Sequence, residues 1–220
     1  MHNFKYWVFS FFVFISLVGS TFAECPQFYP GEKVIQPFGA LEICNSFFVT
    51  QYDDSNKRAL FSSELLAPSG HNVVRKNAFH ADKRSTDPVK PQEYYGTKKD
   101  KGHLVPADDA TNDQEMLDTF NMTNMTPQDP KLNRGPWKTL EGQTRKYVEL
   151  TGQPTHVVTG ALYESQEKMG RVPVPTGYFK IIYIVGKAPI AYYADNNEVS
   201  KPQRVQISWI NTKTNLKFPQ

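Results

Sequence analysis

Four residues recur at every fourth position in the second half of this 220-residue chain: Asn133, Trp137, Glu141 and Arg145. Residues four apart share one face of a helix, so the last three predict a helical stripe, with Asn133 in the turn before it. An asparagine carbonyl and a carboxylate are hard oxygen donors, which suit Mg²⁺ because this ion needs few protein ligands and keeps much of its water. The spacing by itself favours a simpler alternative, an ordinary Glu141–Arg145 ion pair on a helix surface.

A second candidate for chemistry is His103, which follows Asp100-Lys101-Gly102 and precedes an apolar pair. Histidine titrates near neutral pH, so this side chain is a candidate general base. A histidine considered alone is nevertheless more often packed or solvent-facing than catalytic. The acidic residues at 108–115 lack ligands at alternate positions and a central glycine, which argues against a calcium loop. We expect them to cap a helix and to occupy its first turn.

The first 23 residues have the pattern of a secretory signal peptide. Lys5 precedes an apolar run from Tyr6 to Val18, and small residues precede a cleavage point after Ala23. An uncleaved membrane anchor is the alternative, but the run is shorter than the roughly 20 residues needed to span a bilayer. We therefore expect export to the periplasm or the extracellular space, and a mature domain at residues 24–220.

Removal of residues 1–23 takes away Lys5 and no acid, so the formal net charge falls from +3 to +2. So small a charge neither supports nor excludes a polyanionic partner, because a local groove of lysine and arginine matters more than the total. Cys25 and Cys44 are the only cysteines in the chain. In an exported protein such a pair predicts one disulfide, with two buried free thiols as the alternative.

The order of predicted elements indicates an α+β fold. Residues 47–52 and 59–66 predict a β-hairpin, because strand-forming residues flank a turn at Asp53–Asn56. Residues 136–150 predict a helix that begins at Pro136 and ends before Gly152. Further strands are predicted at 156–159, 178–185 and 190–193, and a long polar connection at 67–102. Strands on both sides of a helix, without regular alternation, are typical of an α+β domain.

Three blocks of sequence carry a family resemblance when they are taken together. They are Asp100-Lys101-Gly102-His103, Thr123-Asn124-Met125-Thr126-Pro127-Gln128, and Asn133 with Trp137, Glu141 and Arg145. The pattern resembles the DNA/RNA non-specific endonucleases, the ββα-metal family that includes endonuclease G. Its signature is Asp-Arg-Gly-His, then Ser/Thr-Asn-x-x-Pro-Gln, then Asn-x-x-x-Trp-x-x-x-Glu-x-x-x-Arg. Residues 157–160, 172–180 and 210–218 also look like later parts of that family, so the resemblance covers nearly the whole mature chain.

The resemblance implies a single-domain ββα-metal nuclease fold, in which a mixed or antiparallel sheet packs against helices. It implies an endonuclease that hydrolyses DNA and RNA without sequence preference and leaves 5′-phosphate ends. The implied cofactor is Mg²⁺, with Mn²⁺ as a second candidate. The implied partners are the phosphate backbones of both nucleic acids, and a homodimer is a candidate assembly.

The resemblance also assigns roles to individual residues. His103 would be the general base that takes a proton from the attacking water. Asn133 would ligate the metal, and Glu141 would hold the metal's water shell. The phosphate-binding cations would be Lys101, Arg145 and Arg75, and the residues that support the site and its substrate would be Asn124 and Gln128.

One position departs from the family pattern, because Lys101 stands where the family has arginine. Lysine offers a point charge in place of a two-donor fork, so the change affects one phosphate contact and neither the base nor the metal ligand. Three alternatives remain: a catalytically weakened nucleic-acid-binding secreted protein of the same fold, a structural or adhesive secreted domain, and a phosphodiesterase confined to one sugar type. The joint presence of His103, Asn133 and Glu141 favours the endonuclease.

Overall fold

The computed structural model describes residues 24–220, so the predicted signal peptide lies outside the described residues. The strands of this part are β1 (Leu41–Cys44), β2 (Phe48–Asp53), β3 (Arg58–Leu66), β4 (Asp100–His103), β5 (Met125–Gln128), β6 (Thr155–Leu162), β7 (Lys168–Met169), β8 (Val172–Pro173), β9 (Gly177–Tyr183), β10 (Ile190–Asp195) and β11 (Gln203–Val205). The α-helices are α1 (Asp113–Thr119), α2 (Pro130–Leu132), α3 (Lys138–Thr151) and α4 (Ile207–Thr214). A π turn occupies Asn133–Trp137, and 3₁₀ turns occupy Pro26–Phe28, Pro30–Glu32, Pro91–Tyr94, Ala107–Asp109 and Met122–Asn124.

Seven of these strands form one sheet in the order β1-β2-β3-β6-β9-β10-β11. Every neighbouring pair in it is antiparallel. The predicted hairpin is present as β2 and β3, and the later strands are present as β6, β9 and β10. The α+β prediction is therefore confirmed, with an antiparallel sheet.

The sheet separates two apolar layers, because successive side chains of a strand point to opposite faces. One face packs against the N-terminal turns, α4 and the C-terminal tail; its buried residues include Phe28, Val158, Phe179, Ile210 and Phe218. The other face packs against α3 and the segment after β4; its buried residues include Tyr52, Leu104, Trp137, Leu140 and Tyr178. The segments that carry His103 and Glu141 therefore lie on the second face.

A buried polar row crosses this second face. Thr50, Ser62, Thr159 and Lys180 are register partners on β2, β3, β6 and β9, and none is more than 1% exposed. Thr50 Oγ1 and Ser62 Oγ lie 2.8 Å apart, and Lys180 Nζ donates to Thr159 Oγ1. A buried ammonium is costly unless carboxylates lie near it. The row therefore places the ammonium group of Lys180 beneath α3, where nearby carboxylates must compensate its charge.

The predicted helix begins later than the sequence indicated. Pro136 was expected at its first position, but Pro136 lies inside the π turn and α3 begins at Lys138. Proline lacks an N–H and interrupts the helical ladder, and Gly135 adds non-helical angles of φ −110° and ψ −110°. The other end agrees with the prediction, because Gly152 caps α3 with φ 66°. The wide turn holds Asn133 outside the regular helix, a common use of π geometry.

β4 and β5 form a separate antiparallel ribbon whose strands are joined by residues 104–124 and not by a tight turn. Within that connection Asn112 caps α1, since its side chain accepts from the backbone of Glu115 at 2.9 Å. The capping prediction is correct for Asn112; Asp109 lies in the preceding 3₁₀ turn, where it is buried and pairs with Arg145. Within residues 24–220, every helix is too short or too polar to cross a membrane.

The predicted disulfide joins Cys25 to Cys44 across a Cα–Cα distance of 6.0 Å. It ties the first 3₁₀ turn to the end of β1, which is an edge strand of the sheet. Tyr29 reinforces this attachment by donating to Glu42 Oε2 at 2.8 Å. The N-terminal segment is thus fixed to the face of the sheet opposite α3.

We predict that replacement of both cysteines by serine lowers the free energy of unfolding by about 3 kcal/mol, because the bridge restricts the unfolded chain. Urea unfolding of the mature protein, with and without reductant, measures the difference. Reductant should destabilise the wild type and leave the double variant unchanged. Equal urea midpoints for the oxidised and reduced wild type would contradict the prediction.

Candidate active site

β4, the 3₁₀ turn at Ala107–Asp109 and the start of α3 enclose an open cleft of about 630 Å³. The residues of the sequence prediction that line it are Arg75, Lys101, His103, Asn133 and Glu141. Segments far apart in the chain therefore bring a histidine, two oxygen donors and two cations to one place. The other predicted site residues, Asn124, Gln128 and Arg145, do not line this cleft.

The ring of His103 packs against two aromatic rings, which also contact each other. Its centroid lies 5.8 Å from that of Phe79 and 5.0 Å from that of Phe120, and Phe120 meets it edge-on. Nε2 is buried and has no hydrogen-bond partner among the described residues. Burial, and to a smaller extent the positive charge of Arg75, lowers the pKa of His103 to about 3. The imidazole is therefore neutral at physiological pH, as a base must be.

Gly102 is required by close packing inside the ribbon. A Cβ at this position would lie 2.3 Å from Oε1 and 2.6 Å from Cβ of Gln128, which is fully buried on β5. Neither amide atom of Gln128 has a partner among the described residues. Gln128 is therefore buried behind the cleft and does not line the surface that a substrate would meet. Gln128 instead fills the space behind β4 and fixes the strand that carries His103.

Asn124 has a structural place as well. Its side chain is fully buried, accepts from the backbone N–H of Val105 at 3.0 Å, and donates to the carbonyl of Val105 at 3.0 Å. Its Oδ1 also accepts from Ser62 Oγ, which lies in the polar row of the sheet. Asn124 thus holds the segment after His103 against the sheet.

Asn133 is oriented by Asp100. Its Nδ2 donates to Asp100 Oδ2 at 2.9 Å, and Arg134 Nε donates to the same oxygen at 2.8 Å. With the amide nitrogen committed, Oδ1 is the free end of the side chain, and no described residue donates to it. The sequence block quoted for His103 therefore serves a second purpose, because its first residue positions the carbonyl of Asn133.

Glu141 lies one helical turn beyond the π turn, above a group of buried charges. Burial raises the pKa of Glu141 to about 7; Lys180 opposes the rise, and the negative charge of Asp109 adds to it. Glu64, on β3 beneath it, is fully buried, and both its carboxylate oxygens lack partners among the described residues. Burial also raises the pKa of Glu64 well above its ordinary value. These carboxyl groups share Lys180 and Arg145 as the nearest compensating cations.

Arg145 is not available as an open phosphate contact. Its Nε donates to Asp109 Oδ1 at 2.6 Å, and the two side chains are only 16% and 5% exposed. It lines an adjoining hollow with His71 and Glu149. The prediction that Arg145 binds phosphate does not agree with this ion pair, which instead joins α3 to the 3₁₀ turn at the cleft wall. This ion pair could not be predicted from the sequence, because Asp109 and Arg145 lie 36 residues apart and meet only in the folded chain.

Lys101 and Arg75 both face the cleft, but their side chains have different partners. Lys101 Nζ lies 4.8 Å from the ring centroid of Phe79 and 5.6 Å from those of Tyr94 and Tyr95. Arg75 pairs with Asp108 at 3.3 Å, and both side chains are about half exposed at 45% and 41%. An exposed pair of this kind is weak, so an incoming phosphate can replace Asp108.

Further residues line the cleft that the sequence pattern did not predict, namely Asn77, Phe79, Asp108, Arg134 and Lys138. Arg134 and Lys138 add two exposed cations beside Asn133. Their position next to the Asn133 motif was a usable signal. Phe79 and Asn77 lie in the long polar connection, where no periodicity indicated which residues turn inward.

The donor set fits a hard divalent cation. Asn133 Oδ1 and the carboxylate of Glu141 are oxygen donors that line the same cleft, and two protein ligands suffice for an ion that keeps its water. The described residues contain one other group with metal-ligand atoms in reach, formed by Cys25, Glu42 and Cys44. Its sulfurs are committed to the disulfide, so that group is not a metal site.

Comparison with known proteins bears on this geometry. The family model described as DNA/RNA non-specific endonuclease matches residues 32–220. The chain belongs to this family. The family is metal-dependent, which agrees with the oxygen donors of the cleft.

Individual relatives agree with the family assignment. The chain is 32% identical over 120 residues to a nuclease of Serratia marcescens, and the aligned region covers 49% of this chain and 44% of that protein. It is 30% identical over 160 residues to mitochondrial endonuclease G of Bos taurus, which covers 62% of this chain and 52% of that one. The chain thus spans about half the length of the curated relatives it matches.

A solved structure supports the fold. The EndoG chain of a complex with EndoGI, described as a mechanism of EndoG inhibition, superposes with a TM-score of 0.70. The match covers 80% of this chain and 84% of that chain at 23% identity. At that identity the likeness supports the shared fold, the ββα-metal architecture expected from the sequence.

We predict that Glu141→Gln stabilises the metal-free protein at pH 8 and not at pH 4. Folding raises the pKa of the Glu141 carboxyl to about 7, so its ionisation destabilises the native state. This loss of stability begins as the pH passes the pKa of the unfolded chain and is complete above about pH 7. Gln carries no charge, so the gain at pH 8 should be on the order of 2 kcal/mol. Urea unfolding at both pH values measures it.

Glu149→Gln is the matched control, because Glu149 is exposed on the same helix. It should change stability little at either pH. An equal gain for Glu141→Gln at pH 4 and pH 8 would show that the gain does not come from ionisation.

Proposed function

We propose that this protein is a Mg²⁺-dependent endonuclease that hydrolyses phosphodiester bonds of DNA and RNA without sequence preference. The observation that carries the proposal is the convergence of His103, Asn133 and Glu141 on one cleft rimmed by cations. The family to which the chain belongs supports the reaction. Because the cleft offers contacts to phosphate and not to base edges, it would not distinguish sequences.

In this proposal His103 accepts a proton from the attacking water at Nδ1, since Nε2 is buried. The water oxygen forms a bond to phosphorus, and the bond from phosphorus to the 3′ oxygen breaks. The leaving 3′ oxygen takes up a proton from solvent water to become a hydroxyl, and the 5′-phosphate remains on the other product. A base with a pKa near 3 accepts a proton poorly at neutral pH. A phosphate bound at Arg75 would offset the smaller of the two causes, the positive charge of that arginine, and so raise the pKa of His103.

Asn133 and Glu141 would hold the metal, Asn133 directly and Glu141 through water. Mg²⁺ bound there would supply charge that stabilises the phosphate and the leaving 3′ oxygen. Asp100 contributes by holding the amide of Asn133 in one orientation. Burial favours the protonated form of Glu141 in the metal-free protein, so the cation would bind with release of a proton.

The phosphate backbone would be held by Lys101, Arg75 and the two additional cations Arg134 and Lys138. Arg134 is 73% exposed although it bonds to Asp100, so it can exchange this partner for a phosphate. Arg145 would act through Asp109 as a positioning residue for α3. We further propose that the protein is exported, because a leader-like segment precedes a domain that holds a disulfide.

The direct test is digestion of a supercoiled plasmid and of ribosomal RNA by the purified mature protein. Both should be cut in Mg²⁺, and EDTA should abolish cleavage, with restoration by excess Mg²⁺ or Mn²⁺. Full cleavage of either substrate in EDTA would contradict a metal-dependent reaction. If only one nucleic acid were cleaved, the protein would be a sugar-specific phosphodiesterase. If neither were cleaved, the alternative of a nucleic-acid-binding protein of the same fold would replace the proposal.

We predict that His103→Ala reduces turnover on the order of 10²–10⁴-fold and leaves circular dichroism unchanged, because the base is lost and the fold is not. Single-turnover cleavage of a labelled oligonucleotide measures the step. His80→Ala is the matched control, since His80 lies outside the cleft. Turnover above half that of the wild type in His103→Ala would exclude His103 from the mechanism.

A further inference from the structure

Tyr95 presents a large aromatic ring to solvent beside the cleft. The residue is 69% exposed, and its ring centroid lies 5.6 Å from Nζ of Lys101. Lys101 lines the cleft two positions before His103 on β4. An exposed aromatic ring therefore lies next to a cation that faces the same cleft as the candidate base.

Three rings surround Lys101 Nζ, and they differ in access. Tyr94 is 4% exposed and packs in a buried cluster with Val89 and Met122. Phe79 is half-buried, because its ring packs edge-on against Phe120 with a centroid distance of 4.8 Å while the residue lines the cleft. Of these three rings, that of Tyr95 is the most exposed.

The position of Tyr95 is fixed by its neighbours. Its backbone N–H donates to the carbonyl of Gln92 at 3.0 Å, which closes the 3₁₀ turn Pro91–Tyr94. Glu93 anchors the same turn, since it accepts from Arg171 Nε at 2.8 Å. Gly96 follows with φ 71°, which turns the chain away from the ring. The exposed ring is thus presented by an anchored turn, and little backbone freedom of this turn remains to be lost on binding.

Nucleic acid offers a partner of matching shape. A phosphate held at Lys101 carries its own sugar and base, and the ring of Tyr95 lies within the reach of one nucleotide from that ammonium. Aromatic side chains stack on nucleobases without regard to sequence, because every base has a π face. In a duplex the bases face the helix interior and only the backbone meets the cleft, so a base can reach Tyr95 only when it is unpaired.

We propose that Tyr95 is a stacking platform for an unpaired nucleobase next to the phosphate bound at Lys101. This subsite directs the protein towards single-stranded and locally unpaired nucleic acid. The inference rests on the proposed nuclease function and names its preferred substrate class. Binding of a duplex depends on the cations of the cleft and not on Tyr95.

The test compares kcat/KM for a single-stranded homopolymer and for a GC-rich blunt duplex. Tyr95→Ala should lower the value for the single strand about tenfold and that for the duplex by no more than about twofold, since stacking contributes only where a base is free. Tyr95→Phe should retain both activities, because the ring is kept. Phe38→Ala is the matched control, since Phe38 is an exposed aromatic residue outside the cleft.

Two kinetic results would overturn the proposal. An equal loss on both substrates would mean that the ring only supports Lys101, and no loss on either would mean that it touches no base. A binding measurement separates this inference from the nuclease proposal. In the His103→Ala background, a single strand containing 2-aminopurine should bind with quenched fluorescence, and the additional Tyr95→Ala change should remove the quenching.

This readout does not need catalysis. If the wild type cleaves neither substrate, the nuclease proposal fails, and the quenching still decides the stacking subsite. If the wild type cleaves both and the quenching does not depend on Tyr95, the subsite fails alone.

Discussion

The carboxylate of Asp100 accepts hydrogen bonds from Asn133 Nδ2 and from Arg134, and so joins β4 to the turn that opens α3. β4 carries the candidate base, and the turn and helix carry the candidate metal donors, so this one group fixes the distance between the two halves of the site. It also decides which end of the Asn133 amide is free. The π turn contributes to the same arrangement. If the regular helix began at Asn133, the side chain of Asn133 would follow the same helical face as Trp137 and Glu141. The ribbon β4–β5 can serve as the other half only because Gln128 and Asn124, both buried, hold it from behind.

Beneath this link lies a layer of buried charged residues, which lowers the stability of the fold. Glu64, Asp109 and Glu141 are gathered above the sheet with Lys180 and Arg145, and burial raises the pKa of all three acids. Charged groups in a low-dielectric interior destabilise a fold unless they are fully paired, and Glu64 has no hydrogen-bond partner among the described residues. Such an arrangement is typical of sites where a cation completes the charge balance. The apolar layers on both sides of the sheet, and the disulfide at its edge, supply the stability that this layer lacks.

Much of the architecture could be predicted because it follows from local rules. The hairpin at 48–66 and the C-terminal end of α3 depend on residue alternation, turn chemistry and a glycine cap, all of which act within a few residues. The errors have two causes, one local and one that depends on distant segments. Pro136 was given its usual place at a helix start, yet Gly135 beside it favoured a wide turn. Asp109 was grouped with the capping acids, and Arg145 with the phosphate ligands, although the two bind each other across 36 residues. Spacing along the chain does not report which polar groups become each other's partners.

The sequence by itself determined the residue types that the chemistry needs, their order, the family to which they belong and the pairing of the only two cysteines. These follow from side-chain chemistry and from spacing, which are properties of the linear chain. Only the tertiary structure decided which of those residues reach solvent in the cleft and which are spent on holding it. Asn124, Gln128 and Arg145 look like ligands in the sequence and are buried or paired in the fold, whereas Arg134, Lys138 and Tyr95 carry no motif and are exposed beside the site. The physical reason is that burial and pairing depend on contacts between distant segments, and these contacts exist only once the sheet has brought the segments together.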